Sequence, residues 1–322
     1  MTERAIGGVM PALEPQTVTD SLWDRWTAGW THVAAFSSAR SALAALIRDR
    51  RPTRLWLPAY LCQTLHDGAV AGGATVHWYA VDGTLRPILP DLRPGDAILI
   101  IDYFGRAASV EAPEGVLVIE DRAQALDPAA PPFGDVVLYS PRKLLGVGDG
   151  GLMVSNRPLP QPDEPPDEAA WEANDLRARN PDPAVWRPAF VAREAGLEPD
   201  RRAMTPRTEA ALRGFDPAEE IAARHANWAV LAEALPDLAL WPEREAAFAP
   251  LAYPILTEAA AMGAHLADRR IWAPRHWAES PSPTGFSEAH ELSRRCLSLP
   301  LDGRYGAEDM ARIVEAVRGF GW

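Results

Sequence analysis

Residues 136–155 read VVLYSPRKLLGVGDGGLMVS. Two apolar runs, Val136–Ser140 and Gly151–Ser155, bracket a polar, glycine-rich stretch, and the pattern predicts strand, loop, strand. The loop holds Lys143, the only lysine of the chain: of 32 basic residues, all the others are arginine. A drift toward arginine would leave Lys143 either as a leftover surface residue or as a residue kept for its chemistry. Arginine does not give up its proton and so cannot serve as an amine nucleophile. Lysine can, and it is the residue of Schiff-base chemistry. Gly146, Gly148 and Gly151 fit the spacing G-x-G-x-x-G, but a strand comes next where a dinucleotide-binding fingerprint needs a helix. The glycines are expected instead to let the backbone approach a bulky ligand closely.

Upstream lie two further apolar runs, AILIID over 97–102 and VLVIED over 116–121. Neither alternates, which predicts strands buried on both faces of a largely parallel sheet. Each ends in an aspartate, Asp102 or Asp121. Ligands of such sheets sit beyond the carboxyl ends of the strands, so both are expected to point toward a site. Shorter runs at 55–58 and 75–81 predict more strands, and 39–50 and 61–71 predict helices. The chain is therefore expected to be α/β, with a large domain over 1–215 and a smaller α+β domain over 216–322. Residues 157–185, rich in Pro, Asp and Glu, read as a surface excursion outside the core. In the second domain, 217–235, 258–269 and 307–318 read as helices and 248–256 as a strand. The last helix places Met310, Ile313, Val314 and Val317 on one face.

Composition narrows the function. The 322 residues carry a net charge of −12, which argues against nucleic acid or an anionic membrane as the main partner. No apolar run reaches transmembrane length. The N-terminal MTERAIGGVMPALEP lacks the features of a signal peptide, so the cytoplasm is the expected location. Two cysteines, Cys62 and Cys296, exclude a disulfide framework and a cysteine-type zinc site, and no metal is expected.

The segment Ile119-Glu120-Asp121-Arg122-Ala123-Gln124-Ala125, with Gly134-Asp135, a strand, Ser140, Lys143 and Asp149-Gly150-Gly151 after it, resembles the DegT/StrS-type aminotransferases. Leu57-Pro58-Ala59-Tyr60, Tyr103-Phe104-Gly105 and Leu297-Ser298-Leu299-Pro300-Leu301 extend the resemblance over roughly 20–155 and 215–322. The resemblance implies a fold type I pyridoxal-phosphate transferase. The implied reaction moves an amino group from an amino-acid donor to a keto acceptor, often a nucleotide-linked keto sugar. It also implies a homodimer with shared active sites. On this reading Lys143 attaches the cofactor and then moves a proton, and Asp121 pairs with the ring nitrogen. The alternative for Asp121 is a cap on the short helix that follows. Gln124 would sit near the ring or face solvent.

The family's S-G-T-A-A-L becomes Ser38-Ala39-Arg40-Ser41-Ala42-Leu43. A helix start is kept, so Ser38, Ala39 and Arg40 are candidates for the phosphate, alongside Ser140. Arg40 as a solvent-exposed side chain is the alternative. Tyr60 is the candidate to stack on the ring, with Cys62 as a rival and a core role as the alternative. Arg275 and His276, in a segment similar to the family's small-domain loop, are the substrate candidates. Two other functions stay open: a dehydratase or other lyase on the same fold, and a binding or regulatory protein that kept the fold and lost turnover.

Overall fold

A computed structural model describes residues 4–127, 129–241 and 243–321. Strand β1 (Ile6–Gly7) and helix α1 (Leu22–Thr27) lead into β2 (His32–Phe36) and α2 (Ala39–Arg50). Next come β3 (Leu55–Pro58), α3 (Gln63–Ala71), β4 (Val76–Val81), β5 (Pro87–Ile88), β6 (Ala97–Ile101), β7 (Leu117–Asp121), β8 (Val136–Tyr139) and β9 (Gly151–Ser155). The eight strands β2 to β9 form one sheet in the order β2-β9-β8-β7-β6-β3-β4-β5. The central run β8-β7-β6-β3-β4 is parallel, and β9 runs antiparallel to both its neighbours.

Every residue of β6, β8 and β9 is buried, as runs without alternation require of a sheet covered on both faces. Helix α2 supplies part of the cover. It buries Ala42, Leu43, Leu46 and Ile47, and Ser38 caps it by accepting the Ser41 N–H. Because β3, β6, β7 and β8 are parallel, their carboxyl ends share one edge. That edge carries Tyr60, Asp102, Asp121 and Lys143.

After β9 the structure departs from expectation. Residues 157–185 are not a mere surface excursion. They contain a 3-10 turn at Glu168–Trp171, then α4 (Glu172–Arg179) and the start of α5 (Pro183–Gly196). Trp171 is 1% exposed and packs in a cluster with Leu144, Val147, Met204 and Leu212. The prolines and acids that made this stretch look unstructured serve as helix starts: Asp167 and Asp182 cap, and Pro183 opens α5.

Helix α6 (Pro206–Arg213) leads to the remaining elements: α7 (Ala218–Ala234), β10 (Tyr253–Leu256), α8 (Ala259–Ala267), β11 (Ile271–Trp272), α9 (Ser287–Arg295), β12 (Cys296–Leu299) and α10 (Ala307–Arg318). Strands β10 and β12 pair antiparallel. β1 pairs with β11, so residues 6–7 lie against the C-terminal part of the chain. The strand expected over 248–256 is only Tyr253–Leu256. The backbone before it bonds elsewhere: the Ala249 N–H donates to Asp127 O and the Leu251 N–H to Phe104 O. Pro250 between them has no N–H to give a ladder.

Candidate active site

At the carboxyl edge of the sheet, β7 delivers Asp121 and the loop after β8 delivers Lys143 within a 3-10 turn, Pro141–Lys143. Asp121 is 3% exposed. Its Oδ1 accepts the Ala123 N–H at 2.8 Å, and its other oxygen has no hydrogen bond among the described residues. Burial pushes this carboxyl up, while the Lys143 ammonium and the Ala123 amide pull it back down. A buried carboxylate with one uncommitted oxygen beside a single amine fits a ligand with a protonated ring nitrogen and an aldehyde. The donor set therefore fits pyridoxal phosphate.

His276 arrives from the loop after β11. Its Nδ1 lies 2.6 Å from Ser298 Oγ on β12, and its ring stands edge-on to Phe104 at 5.7 Å. Burial, with the Lys143 charge second, lowers its pKa to about 4. The imidazole is thus neutral at physiological pH and adds no second cation beside Lys143.

Gln124 is 2% exposed and already has a task. Its Oε1 accepts the Phe104 N–H at 2.6 Å. Phe104 sits at φ 55, the left-handed region that costs a bulky residue energy, and this bond helps hold it there. The Gln124 Nε2 remains to donate. Gly105 comes next, at φ +93: a Cβ there would stand 2.8 Å from Ala249 O, so only glycine lets the two backbones approach.

Ser140 is buried at 3% exposure, and its hydroxyl makes no hydrogen bond among the described residues. Ser38 and Ala39 begin α2 directly across from the lysine loop. The Gly150 N–H donates to Ser37 O at 2.7 Å, and a Cβ on Gly151 would fall 2.0 Å from the Ser38 carbonyl carbon. The glycines of the lysine loop therefore serve close backbone packing, not ligand approach. Gly146 lies against Pro11, Gly148 against Trp171 and Gly151 against Ser38. Arg40 is half-buried, its stem against Gly68 and its guanidinium donating to Leu197 O.

Two of the expected site residues stand apart. Tyr60 is fully buried, with Trp277 at 5.2 Å and Tyr103 at 5.7 Å between ring centres, and offers no open ring face. Its rival Cys62 stands at the N-cap position of α3 without a side-chain capping bond, its Sγ accepting from Thr64 Oγ1 at 3.3 Å. Arg275 points to solvent, with no hydrogen bond or ion pair among the described residues.

A buried ion cluster beneath the site carried no expectation from the sequence. Arg122 Nε lies 2.6 Å from Glu120 Oε1 and 3.4 Å from Asp102 Oδ2, with all three side chains at most 4% exposed. Asp102 was expected to face the site. Instead its Oδ1 accepts the Ala108 N–H at 2.8 Å. Burial, with the nearby Glu120 charge, pushes its carboxyl to about 8. The signal was present: an arginine directly after a strand of buried apolar residues needs a carboxylate.

Neither a family model nor a curated protein sequence matches the chain. Solved structures do. Among those it resembles is a DegT DnrJ EryC1 StrS aminotransferase from Brucella abortus: TM-score 0.63, 21% identity, 92% of this chain and 88% of that one covered. Spr1654 of Streptococcus pneumoniae in its PLP form, described as a sugar aminotransferase, gives TM-score 0.62, 13% identity, and 96% and 98% coverage. DesI, solved in the presence of its TDP-sugar product, gives TM-score 0.63, 16% identity, and 98% and 94% coverage. The fold is that of the DegT/StrS-type aminotransferases. The large mostly parallel sheet flanked by helices, expected from the apolar runs, is the sheet observed.

Among the described residues no helix is long and apolar enough to cross a membrane, and no cluster of His, Cys, Asp and Glu could hold a metal ion.

Proposed function

We propose that this protein is a pyridoxal-phosphate-dependent aminotransferase of the DegT/StrS type, acting on a keto acceptor of the keto-sugar class. One observation carries the reading: the chain's only lysine shares a buried strand-end site with a carboxylate that has one oxygen uncommitted. The solved structures of the same fold that were crystallised in a PLP form or with a TDP-sugar product support it.

When bound, the cofactor supplies an electron sink for a carbanion next to an amine. The protein's share is attachment, orientation and proton traffic. Asp121 holds a proton on the ring nitrogen through its free oxygen. Lys143 provides the amine that anchors the cofactor and, once released, takes and returns the proton at the substrate carbon. Gln124, fixed through its Oε1, has Nε2 available to donate toward the ring oxygen. Ser140, Ser38, Ala39 and Arg40 face the phosphate end. His276, neutral and anchored on Ser298, lines the small-domain side, where an acceptor would enter. A homodimer with shared sites, a cytoplasmic setting and a boundary near residue 216 belong to the same proposal.

The test is an absorption spectrum after incubation with pyridoxal phosphate, then borohydride reduction and peptide mapping. The expected outcome is a visible band and a single reduced adduct on Lys143, both absent in Lys143→Arg. A folded wild-type protein with no adduct sinks the proposal. Adding amino donors then separates a transaminase, which loses the band to the amine form, from a lyase, which keeps it.

A further inference from the structure

The phosphate end of the site is rich in arginine, and part of the chain's own backbone covers it. Arg142, beside Lys143, lies between Arg40 on α2 and Arg193 on α5, and both Arg142 and Arg40 hydrogen-bond to the end of α5 or the segment after it. The Arg142 charge lowers the pKa of both Arg40 and Arg193, second in each case to burial. Like charges gathered in this way are costly unless anions sit among them. The last turn of α5 and the segment after it supply the acceptors, two carboxylates and a backbone carbonyl. Arg142 Nη1 donates to Glu194 Oε1 at 2.5 Å. Arg40 Nη1 donates to Leu197 O. Asp200 Oδ1 accepts from Ser37 Oγ at 2.5 Å and from Ser41 Oγ at 2.8 Å. Two groups are left over: Arg193 makes no hydrogen bond or ion pair among the described residues, and Arg40 Nε is buried without an acceptor.

We propose that residues 193–200 are a displaceable occupant of an anion cradle. Glu194, the Leu197 carbonyl and Asp200 hold the donors Arg142, Arg40, Ser37 and Ser41 until a phosphate monoester takes their place. Arg193 then closes on the incoming dianion. The guanidinium fork suits this, because it matches phosphate oxygens two at a time. The segment is suited to move. None of residues 193–200 is fully buried, and Glu194, Ala195, Gly196 and Glu198 are exposed. That the monoester is the cofactor's rests on the proposed function, whereas the cradle itself does not.

The experiment measures the affinity of inorganic phosphate, pyridoxal phosphate and phosphate-free pyridoxal for wild type, the double variant Glu194→Gln/Asp200→Asn, and Arg193→Gln. Removing the two competing carboxylates is expected to tighten inorganic phosphate and pyridoxal phosphate about three- to ten-fold, leaving pyridoxal unchanged. Arg193→Gln is expected to weaken the two phosphates about ten-fold and, again, not pyridoxal. Amide exchange over 193–200 in the wild type should quicken when phosphate is added. A folded double variant with unchanged or weaker phosphate affinity overturns the proposal, as does a wild type that binds neither phosphate ligand. Phosphate binding without any Lys143 adduct overturns the proposed function and leaves the cradle standing. An adduct with normal affinity in all three proteins overturns the cradle alone.

Discussion

β6 and β7 are neighbours in register, each an apolar run closing on an aspartate, yet the two carboxylates have opposite fates. Asp102 is enclosed, 0% exposed, with Arg122 beside one oxygen and the Ala108 amide on the other. Asp121 accepts a hydrogen bond on one oxygen only, and the nearby Lys143 charge acts on its carboxyl. The difference comes from the path the chain takes beyond each strand. After Asp102 it makes a tight Tyr103–Gly105 turn through two positive-φ residues and folds back, so that Ala108 reaches the carboxylate. After Asp121 it turns away through Arg122 and Gln124, sending the arginine beneath the sheet edge and the amide across to Phe104. One aspartate therefore braces the edge, and on the proposed function its neighbour is the one that acts there. Each has one oxygen without a hydrogen bond; what separates them is the cation beside it, Arg122 for Asp102 and Lys143 for Asp121.

Substitutions can break or sharpen that contrast. The largest effect is expected for Asp121→Asn. The amide still accepts from Ala123 but cannot hold a proton on the ring nitrogen, so turnover should fall by about a hundred-fold or more. Thermal stability should hold or rise, because no carboxylate then needs desolvating. Steady-state kinetics beside a melting curve checks both. An active Asp121→Asn would remove the functional half of the contrast.

Asp102→Asn should do the reverse. Its folded pKa of about 8 lies above the carboxyl value of an unfolded chain. The folded state therefore keeps a proton that the unfolded state releases, and stability is lost as pH rises from about 4 through about 8. The asparagine variant should remove that slope, a matter of a few kcal/mol, with turnover changed less than about three-fold. Urea midpoints at about pH 5, 6.5 and 8 read it directly. A slope unchanged in the variant would refute the assignment.

The smallest effect is expected for Gln124→Ala. Losing the acceptor of the Phe104 N–H should cost about 1–3 kcal/mol. Because Phe104 also meets His276, the adduct band should shift or weaken without disappearing. Denaturant unfolding, beside a spectrum taken after removal of excess cofactor, distinguishes this from a purely structural loss, in which the band would not change.

Much of this was legible in residues alone. The apolar runs at 97–102 and 116–121 read as a doubly covered parallel sheet because their burial leaves no room for alternation. Lys143 and Asp121 stood out by residue count and by position at strand ends. Tyr60 stayed open between the ring and the core, since an aromatic after a strand-ending proline looks the same whether it faces a ligand or, as here, packs against Trp277 and Tyr103. The 157–185 stretch misled because mean composition hides the few anchors, chiefly Ala170 and Trp171, that seat it in a core. Arg193, one of so many arginines, carried no local signal.

Residues alone settled that there is a largely parallel sheet covered on both faces, and which side chain could supply an amine. These are local matters: apolar periodicity tracks burial, and only one side chain had the right proton chemistry. Tertiary structure decided which cation lies beside each aspartate, which backbone crossings the glycines serve, and which acceptors meet Arg40 and Arg142. Those outcomes depend on contacts between segments far apart in the chain. Only the folded geometry sets the balance there between desolvation and pairing.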